Sequence, residues 1–289
     1  MKSFFTIFCI TISVALFAGG PWPAGKGNGY FQPGFTAKNW DGRYQGTYAN
    51  TIFRDLNRKA YEYNITFYGE YGISDKITLI ADAFYRFQGT EDEILNAQEN
   101  PFSEILPSGN LSAPGNPAIQ LKYHFKIGSI ASAAYLRFQP NFSSADEVIG
   151  LRTDYDANAY TSGIMLGQGF EKSYWSFDAG IAVRSNNYAE SVVGNFQYGY
   201  AIRPKTYLIL DINYMVSLEN GTNYGGSFEQ TATYLDNQGF VAYGAKLYSQ
   251  FHKNLSFNIA FYSGFAVINQ GNQPGGIFGG IAYQLNKND

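Results

Sequence analysis

Tyr61-Glu62-Tyr63-Asn64-Ile65-Thr66-Phe67-Tyr68-Gly69-Glu70-Tyr71 separates into two faces when read at every second residue. Tyr61, Tyr63, Ile65, Phe67 and Tyr71 form an apolar set, and Glu62, Asn64, Thr66, Tyr68 and Glu70 form a wetter one. Side chains alternate across a β-strand, so a period of two marks a strand with one dry and one wet face. The split recurs in Ile77, Leu79, Ala81, Ala83, Tyr85 and Phe87 against Thr78, Asp82, Arg86 and Gln88.

The same alternation, bounded by turn residues, predicts about twelve strands. They fall near 29–40, 59–72, 76–88, 116–127, 129–140, 158–170, 173–184, 191–203, 205–218, 239–251, 255–266 and 277–285. The first is the weakest, because Pro33 and Gly34 interrupt it, and a proline there predicts a bulge or a rim position. Each run has the length that a tilted strand needs to cross a bilayer. Short turns at Ser74-Asp75, Gly128, Glu171-Lys172, Pro204 and Lys253-Asn254 alternate with longer loops at 41–58, 89–115, 141–157, 185–190, 219–237 and 267–276. Short-long alternation with an even strand count describes an all-β, antiparallel, up-and-down transmembrane β-barrel with both termini on the periplasmic side.

Composition agrees. Charged residues are 15% of the chain against roughly 25% in an ordinary soluble domain, and aromatics are 18%, with 24 Tyr and 24 Phe. Mean hydropathy is -0.23, which excludes a bundle of membrane helices but not a barrel, where only alternate residues are apolar. The outward set holds no Asp, Glu, Lys, Arg or His. Its aromatics gather in two girdles: Tyr71, Tyr123, Phe125, Trp175, Phe177, Tyr198, Tyr200 and Tyr283 near the short turns, and Tyr61, Tyr63, Tyr85, Phe87, Phe138, Tyr214 and Phe265 near the long loops. A soluble barrel with the apolar face inward is the rival. Twelve strands enclose too wide a space for apolar side chains to fill, and the wet face is poor in Lys and Glu for a solvent surface.

Residues 1–18 have the form of a secretion signal: Lys2 is the positive end, Phe4 to Phe17 the apolar run, and Ala15-Leu16-Phe17-Ala18 the small-x-x-small cleavage end. Residues 19–289 are then the barrel, in the bacterial outer membrane. The single cysteine, Cys9, lies in the leader, so the exported chain has no thiol chemistry or disulfide. A net charge of -3 gives no basic surface for nucleic acid.

On the inward face the ionisable residues singled out as lumen-lining or constriction candidates are Glu62, Asp82, Arg86, Lys122, His124, Arg137, Asp178, Arg184 and Asp211. Folding the hairpin at Ser74 places Glu62 near Arg86, within a register of about two residues. Such a pair either braces the wall or selects permeants by charge. Tyr68, Tyr135, Tyr207, Tyr248 and Tyr262 add apolar bodies with polar tips. Neither histidine sits in a hydrolase pattern: His124 precedes Phe125-Lys126 and His252 precedes Lys253-Asn254. Two isolated histidines form no recognisable zinc motif, so neither enzyme activity nor a cofactor is expected. The loop from Thr90 to Asn100, with Glu91, Asp92, Glu93 and Glu99, followed by Phe102, Ile105 and Leu106, reads as a solvated acidic loop or a short amphipathic helix over the mouth. Asp146-Glu147 and Asp154-Tyr155-Asp156 make a second acidic loop, within reach of lipopolysaccharide through bridging cations.

Ala113-Pro114-Gly115-Asn116-Pro117-Ala118-Ile119-Gln120-Leu121-Lys122-Tyr123 resembles the outer-membrane transporters grouped with the meta-pathway of phenol degradation, distant relatives of the long-chain fatty-acid channels; Asn116 stands where that family has Asp. The stretch from Gly19-Gly20-Pro21-Trp22-Pro23 to Tyr30 and the unit Glu70-Tyr71-Gly72-Ile73-Ser74-Asp75-Lys76 are similar to members from Bacteroidetes-type bacteria. The resemblance implies passive uptake of small, hydrophobic or aromatic molecules. The fatty-acid channels carry an N-terminal hatch; the ten or so residues ahead of the first strand here are too few for a folded plug. The alternative is a structural or adhesive barrel with a blocked lumen and partner-binding loops.

Overall fold

A computed structural model describes residues 19–91, 106–223, 225–272 and 275–287. Residues 1–18, expected as a leader, the acidic stretch 92–105 with the helix expected beside it, and the Phe265 side chain of the outer girdle lie outside the described residues.

The chain runs through β1 (Gly29–Thr47), β2 (Asn50–Gly72), β3 (Ile77–Thr90), β4 (Gly109–Pro114), β5 (Ala118–Ile127) and β6 (Ile130–Gln139). A two-residue ribbon, β7 (Ala145–Asp146) with β8 (Leu151–Arg152), follows in a loop. Next come β9 (Ala159–Gly169), β10 (Ser173–Arg184), β11 (Ser191–Arg203), β12 (Thr206–Ser217), β13 (Gly239–Gln250), β14 (Leu255–Ile268), β15 (Gln270–Gly271) and β16 (Gly276–Leu285). Each wall strand pairs antiparallel with its neighbours, and β1 pairs with both β2 and β16, which closes the sheet. β4 and β5 are two halves of one wall strand and β15 is a short edge, so twelve strands form the barrel.

Parity follows the sequence pattern. Ile65, Leu121, Ile164, Ile181, Leu210 and Ile259 are exposed on the outside at mid-height, while Glu62, Gln88, Gln120, Lys122 and Asp211 are buried inside. An exposed aliphatic band with no described charge on its face is the surface that hydrocarbon requires.

Three features depart from the expected layout. Segment 41–58, expected as a loop, continues β1 and β2 as a hairpin, with a bulge between Trp40 and Gly42. Pro33 is neither a bulge nor a rim residue. It pairs in register with Phe67, and the ladder to β16 lapses at Gln32 and Pro33, where Pro33 has no N–H to give. The fourth wall strand is broken: β4 and β5 both pair with β3, but Gly115, Asn116 and Pro117 leave the ladder. At Gly115 a Cβ would stand 2.0 Å from the Phe84 ring, so only glycine lets the chain turn there.

Candidate functional site: the lumen and its seams

The nine candidate residues all lie on the inward parity, but they form separate clusters rather than one constriction ring. On β2 and β3, Glu62 is directly opposite Gln88, and Asn64 is opposite Arg86. Glu62 therefore meets Arg86 diagonally, Oε1 to Nη2 at 3.3 Å, and also Lys38 at 3.4 Å. Asn64 ties the group together, donating to Glu62 at 2.8 Å and accepting from Arg86 Nε at 2.8 Å. Arg137 makes a two-pronged pair with Asp82, at 2.6 and 2.9 Å. Asp211 lies 3.7 Å from Lys246 and accepts from Asn195. Asp178 sits near Tyr135, whose ring lies over Gly163 and Gly180, with its Oδ1 unpartnered among the described residues.

Lys122 and His124 face the inner end, where they hold a segment that sequence reasoning left out of the lumen. Lys122 Nζ donates to Glu70 Oε1 at 2.7 Å and to the Gly20 carbonyl at 3.0 Å. His124 Nδ1 donates to the Pro21 carbonyl at 2.8 Å, and Nε2 meets the Thr78 hydroxyl at 2.9 Å. Since the carbonyl can only accept, a neutral ring carries its proton on Nδ1. Thr78 Oγ1 in turn accepts from the Ala24 N–H at 3.3 Å. Trp22 packs edge-on against Tyr174, centroids 5.7 Å apart, and a Cβ at Gly167 would come within 2.8 Å of Pro21. The segment is not a folded plug, yet it lies in the lumen. It needs no fold of its own, because lumen side chains supply the partners for its backbone.

The outer end is covered by loops. Arg86 donates through Nη1 to the Thr153 carbonyl, Arg58 to the Leu106 carbonyl and Arg43 to the Glu229 carbonyl. The Arg152 guanidinium lies 3.5 Å from the Phe228 ring centroid, and Arg184 lies 4.5 Å from that of Tyr155. Thr231 donates to the Gly150 carbonyl, tying the 218–238 loop to the 147–158 loop. Asp154 is buried among these loops and accepts from the Asn116 N–H at 3.1 Å and the Tyr155 N–H at 2.8 Å. Burial raises its carboxyl above the ordinary Asp value.

The wall has two interruptions with opposite outcomes. At the break between β4 and β5, Asn116 seals the gap: its amide donates to the Tyr155 carbonyl at 2.8 Å and accepts from the Phe142 N–H at 2.7 Å. The second lies beside β16. β16 begins at Gly276, paired with Lys38 on one side and Tyr262 on the other. Above that point β14 runs on to Ile268, and on this side the described residues that meet β1 are β15 at Arg43 and Tyr44 and Asn272 at Gly42. Asn272 pins the connecting strap to β1 through Asp41 and Gly42, and on the β14 side the ladder to β16 stops at Tyr262.

A cavity of about 710 Å³ occupies this seam. Residues of both faces line it, including outward Tyr63, Leu210 and Phe261 and inward Lys38 and Tyr262. It abuts an inner cavity of about 450 Å³, sharing Lys38, Tyr262 and Gly276. That one abuts a cavity of about 240 Å³ bounded by Tyr30, Tyr68, Tyr174 and Tyr248, sharing Gln32, Lys246 and Asn258. The series runs from the lipid face, through the wall, down to Gly19 of the N-terminal segment. Of the tyrosines expected to line the lumen, Tyr68, Tyr248 and Tyr262 border these spaces and Tyr207 packs 6.4 Å from Tyr248. Tyr30, Gln32 and Lys38 were missed because the proline and glycine in β1 obscure its alternation.

No family model and no curated protein matches the sequence. Among solved structures, the chain is similar to an outer membrane channel from Pseudomonas putida F1, with a TM-score of 0.67 at 13% identity over 93% of this chain and 100% of that one. The KdgM porin gives 0.46 at 9% identity over 88% and 99%, and a TodX deletion mutant, a monoaromatic hydrocarbon channel, gives 0.44 at 10% over 90% and 91%. The last two scores are too low to argue from. The first likeness shows the fold, a twelve-stranded barrel of the outer-membrane type.

Proposed function

We propose that the protein is an outer-membrane channel for passive uptake of small, hydrophobic or aromatic molecules. In this reading the solute passes between the membrane and the lumen through the seam beside β16. One observation carries it: three abutting cavities lead from an apolar, lipid-facing notch, through a stretch of wall that is unpaired among the described residues, to a tyrosine-lined inner chamber. Such a route suits a solute that partitions into hydrocarbon. The rival, a structural or adhesive barrel with a blocked lumen, draws on the loop cap and on the N-terminal segment. The two readings separate in uptake of labelled naphthalene by cells of a Gram-negative host with and without the protein in the outer membrane. Faster entry with the protein present supports the channel; equal entry, with the folded barrel verified in the membrane, removes it.

A further inference from the structure

The inner cavity beside the seam has a chemical bias that the uptake reading leaves open. Glu62 is already engaged by Lys38, Arg86 and Asn64. Asp211 accepts from Asn195 and faces Lys246, and Asn213 Oδ1 accepts from Asn195 at 2.9 Å. The capacity left over is chiefly that of donors. Gln32 Nε2 is buried without a hydrogen-bond partner among the described residues, while its Oε1 accepts from Tyr30. Lys38 and Lys246 keep part of their side chains exposed to the cavity, at 27% and 21%, and each sits at a long ion-pair distance, 3.4 and 3.7 Å. The charged residues lining this space are two cations (Lys38, Lys246) and one carboxylate (Glu62), and with the partners behind them, Arg86 on Glu62 and Asp211 on Lys246, the excess stays one positive charge. An ammonium with spare N–H bonds and an unpartnered amide donor call for an acceptor, and the excess positive charge favours an anionic one.

The outer cavity has the opposite character. Tyr63, Leu210, Tyr243 and Phe261 surround it with rings and aliphatic carbon on the lipid side. The shared Lys38 stands at the junction, so one molecule lying across the seam would have its apolar body outside and its head beside Lys38, Gln32 and Lys246.

The geometry points to an amphiphilic organic anion as the occupant of the seam: a carboxylate or sulfonate head held by Lys38, Lys246 and Gln32, with an alkyl or aryl body along the outer notch. This rests on the uptake reading above and adds the charge of the head. Lys38 and Lys246 are then specificity-determining residues rather than braces of the wall alone.

The test compares three probes that share a ten-carbon chain and differ in the head: decanesulfonate, decanol and decyltrimethylammonium. Binding to the folded full-length barrel, purified in a neutral detergent, is measured by native mass spectrometry across a concentration series. Wild type is expected to hold decanesulfonate about tenfold more tightly than decanol, and the cation most weakly. Lys38→Gln with Lys246→Gln should erase the preference for the anion, so that the variant binds decanesulfonate no more tightly than it binds decanol. Lys38→Arg with Lys246→Arg should keep it. Retained heat-modifiable gel mobility checks that each variant is folded. Equal binding of the anion and decanol by wild type, or a preference that survives the double glutamine variant, overturns the head-group assignment and leaves the uptake reading standing. Failure to bind any of the three probes overturns both.

Discussion

Lys122 on β5 and Glu70 on β2 meet across β3, Nζ to Oε1 at 2.7 Å, and the same ammonium reaches the Gly20 carbonyl of the N-terminal segment at 3.0 Å. The pair thus does two things at once: it braces three wall strands and it fixes the occupant of the inner lumen. Lys122 is fully buried and Glu70 nearly so. Removing one partner strands a charge, at a typical cost of about 3–5 kcal/mol.

Lys122→Met is therefore expected to lower stability against urea in liposomes by about that amount, and Lys122→Met with Glu70→Gln by much less. The measurement is tryptophan fluorescence during unfolding. Equal losses in the single and double variants would show that the pair does not act as a unit.

Residues 20–25 add nothing to the sheet ladder: β1 begins at Gly29, and the backbone bonds to Gly72 of β2 just below it are made by Gly27 and Asn28. Deleting residues 20–25 is expected to leave the barrel folded and to raise ion conductance in planar bilayers several-fold, because Pro21 and Trp22 no longer fill the space beside Gly167 and Tyr174. Conductance equal to wild type would mean that the cap alone limits flow.

Asp154 gives the outer cap a pH dependence. Its carboxyl in the folded cap titrates above its unfolded value, so the folded form holds the proton more firmly. Its contribution is fully present below the unfolded pKa and is lost as pH rises through the folded one. Loop cleavage by a protease added outside is expected to speed up as pH is raised across that window. Asp154→Asn should flatten the profile.

The lipid-facing assignment is tested at Ile164, exposed at the middle of β9. Ile164→Arg is expected to cost about 2–4 kcal/mol for folding into bilayers. The same change at a site facing bulk water costs little.

How far the sequence carried depended on whether a feature was local. Strand positions and facing follow from alternation, because burying one face of a sheet fixes parity for every residue on it. Glu62 with Arg86 was legible to within the register, since a short turn at Ser74 ties the two strands. The partners of Lys122 and His124 were not, because carbonyls of Gly20 and Pro21 carry no side-chain signature and meet β5 only after the barrel closes. The break at Gly115-Asn116-Pro117 was visible as a motif, but its sealing by Asn116 depends on a loop some 25 to 40 residues downstream. The open seam was hidden for a simpler reason: it arises from where β16 starts, and strand ends are what periodicity fixes least.

For the proposed passage of solutes across the wall beside β16, Gly275 offers a direct way to close the path. A Cβ there would meet only the Tyr262 carbonyl, at 3.9 Å, so a large side chain can be seated without strain on described atoms; at Gly279, on the lipid face, a Cβ meets nothing within 4 Å. Uptake of labelled naphthalene is to be compared for Gly275→Trp and Gly279→Trp at matched amounts of folded protein. Gly275→Trp is expected to reduce entry roughly tenfold, toward the rate of cells lacking the protein, and Gly279→Trp to leave it unchanged. Full uptake through the Gly275→Trp barrel would contradict the proposed passage.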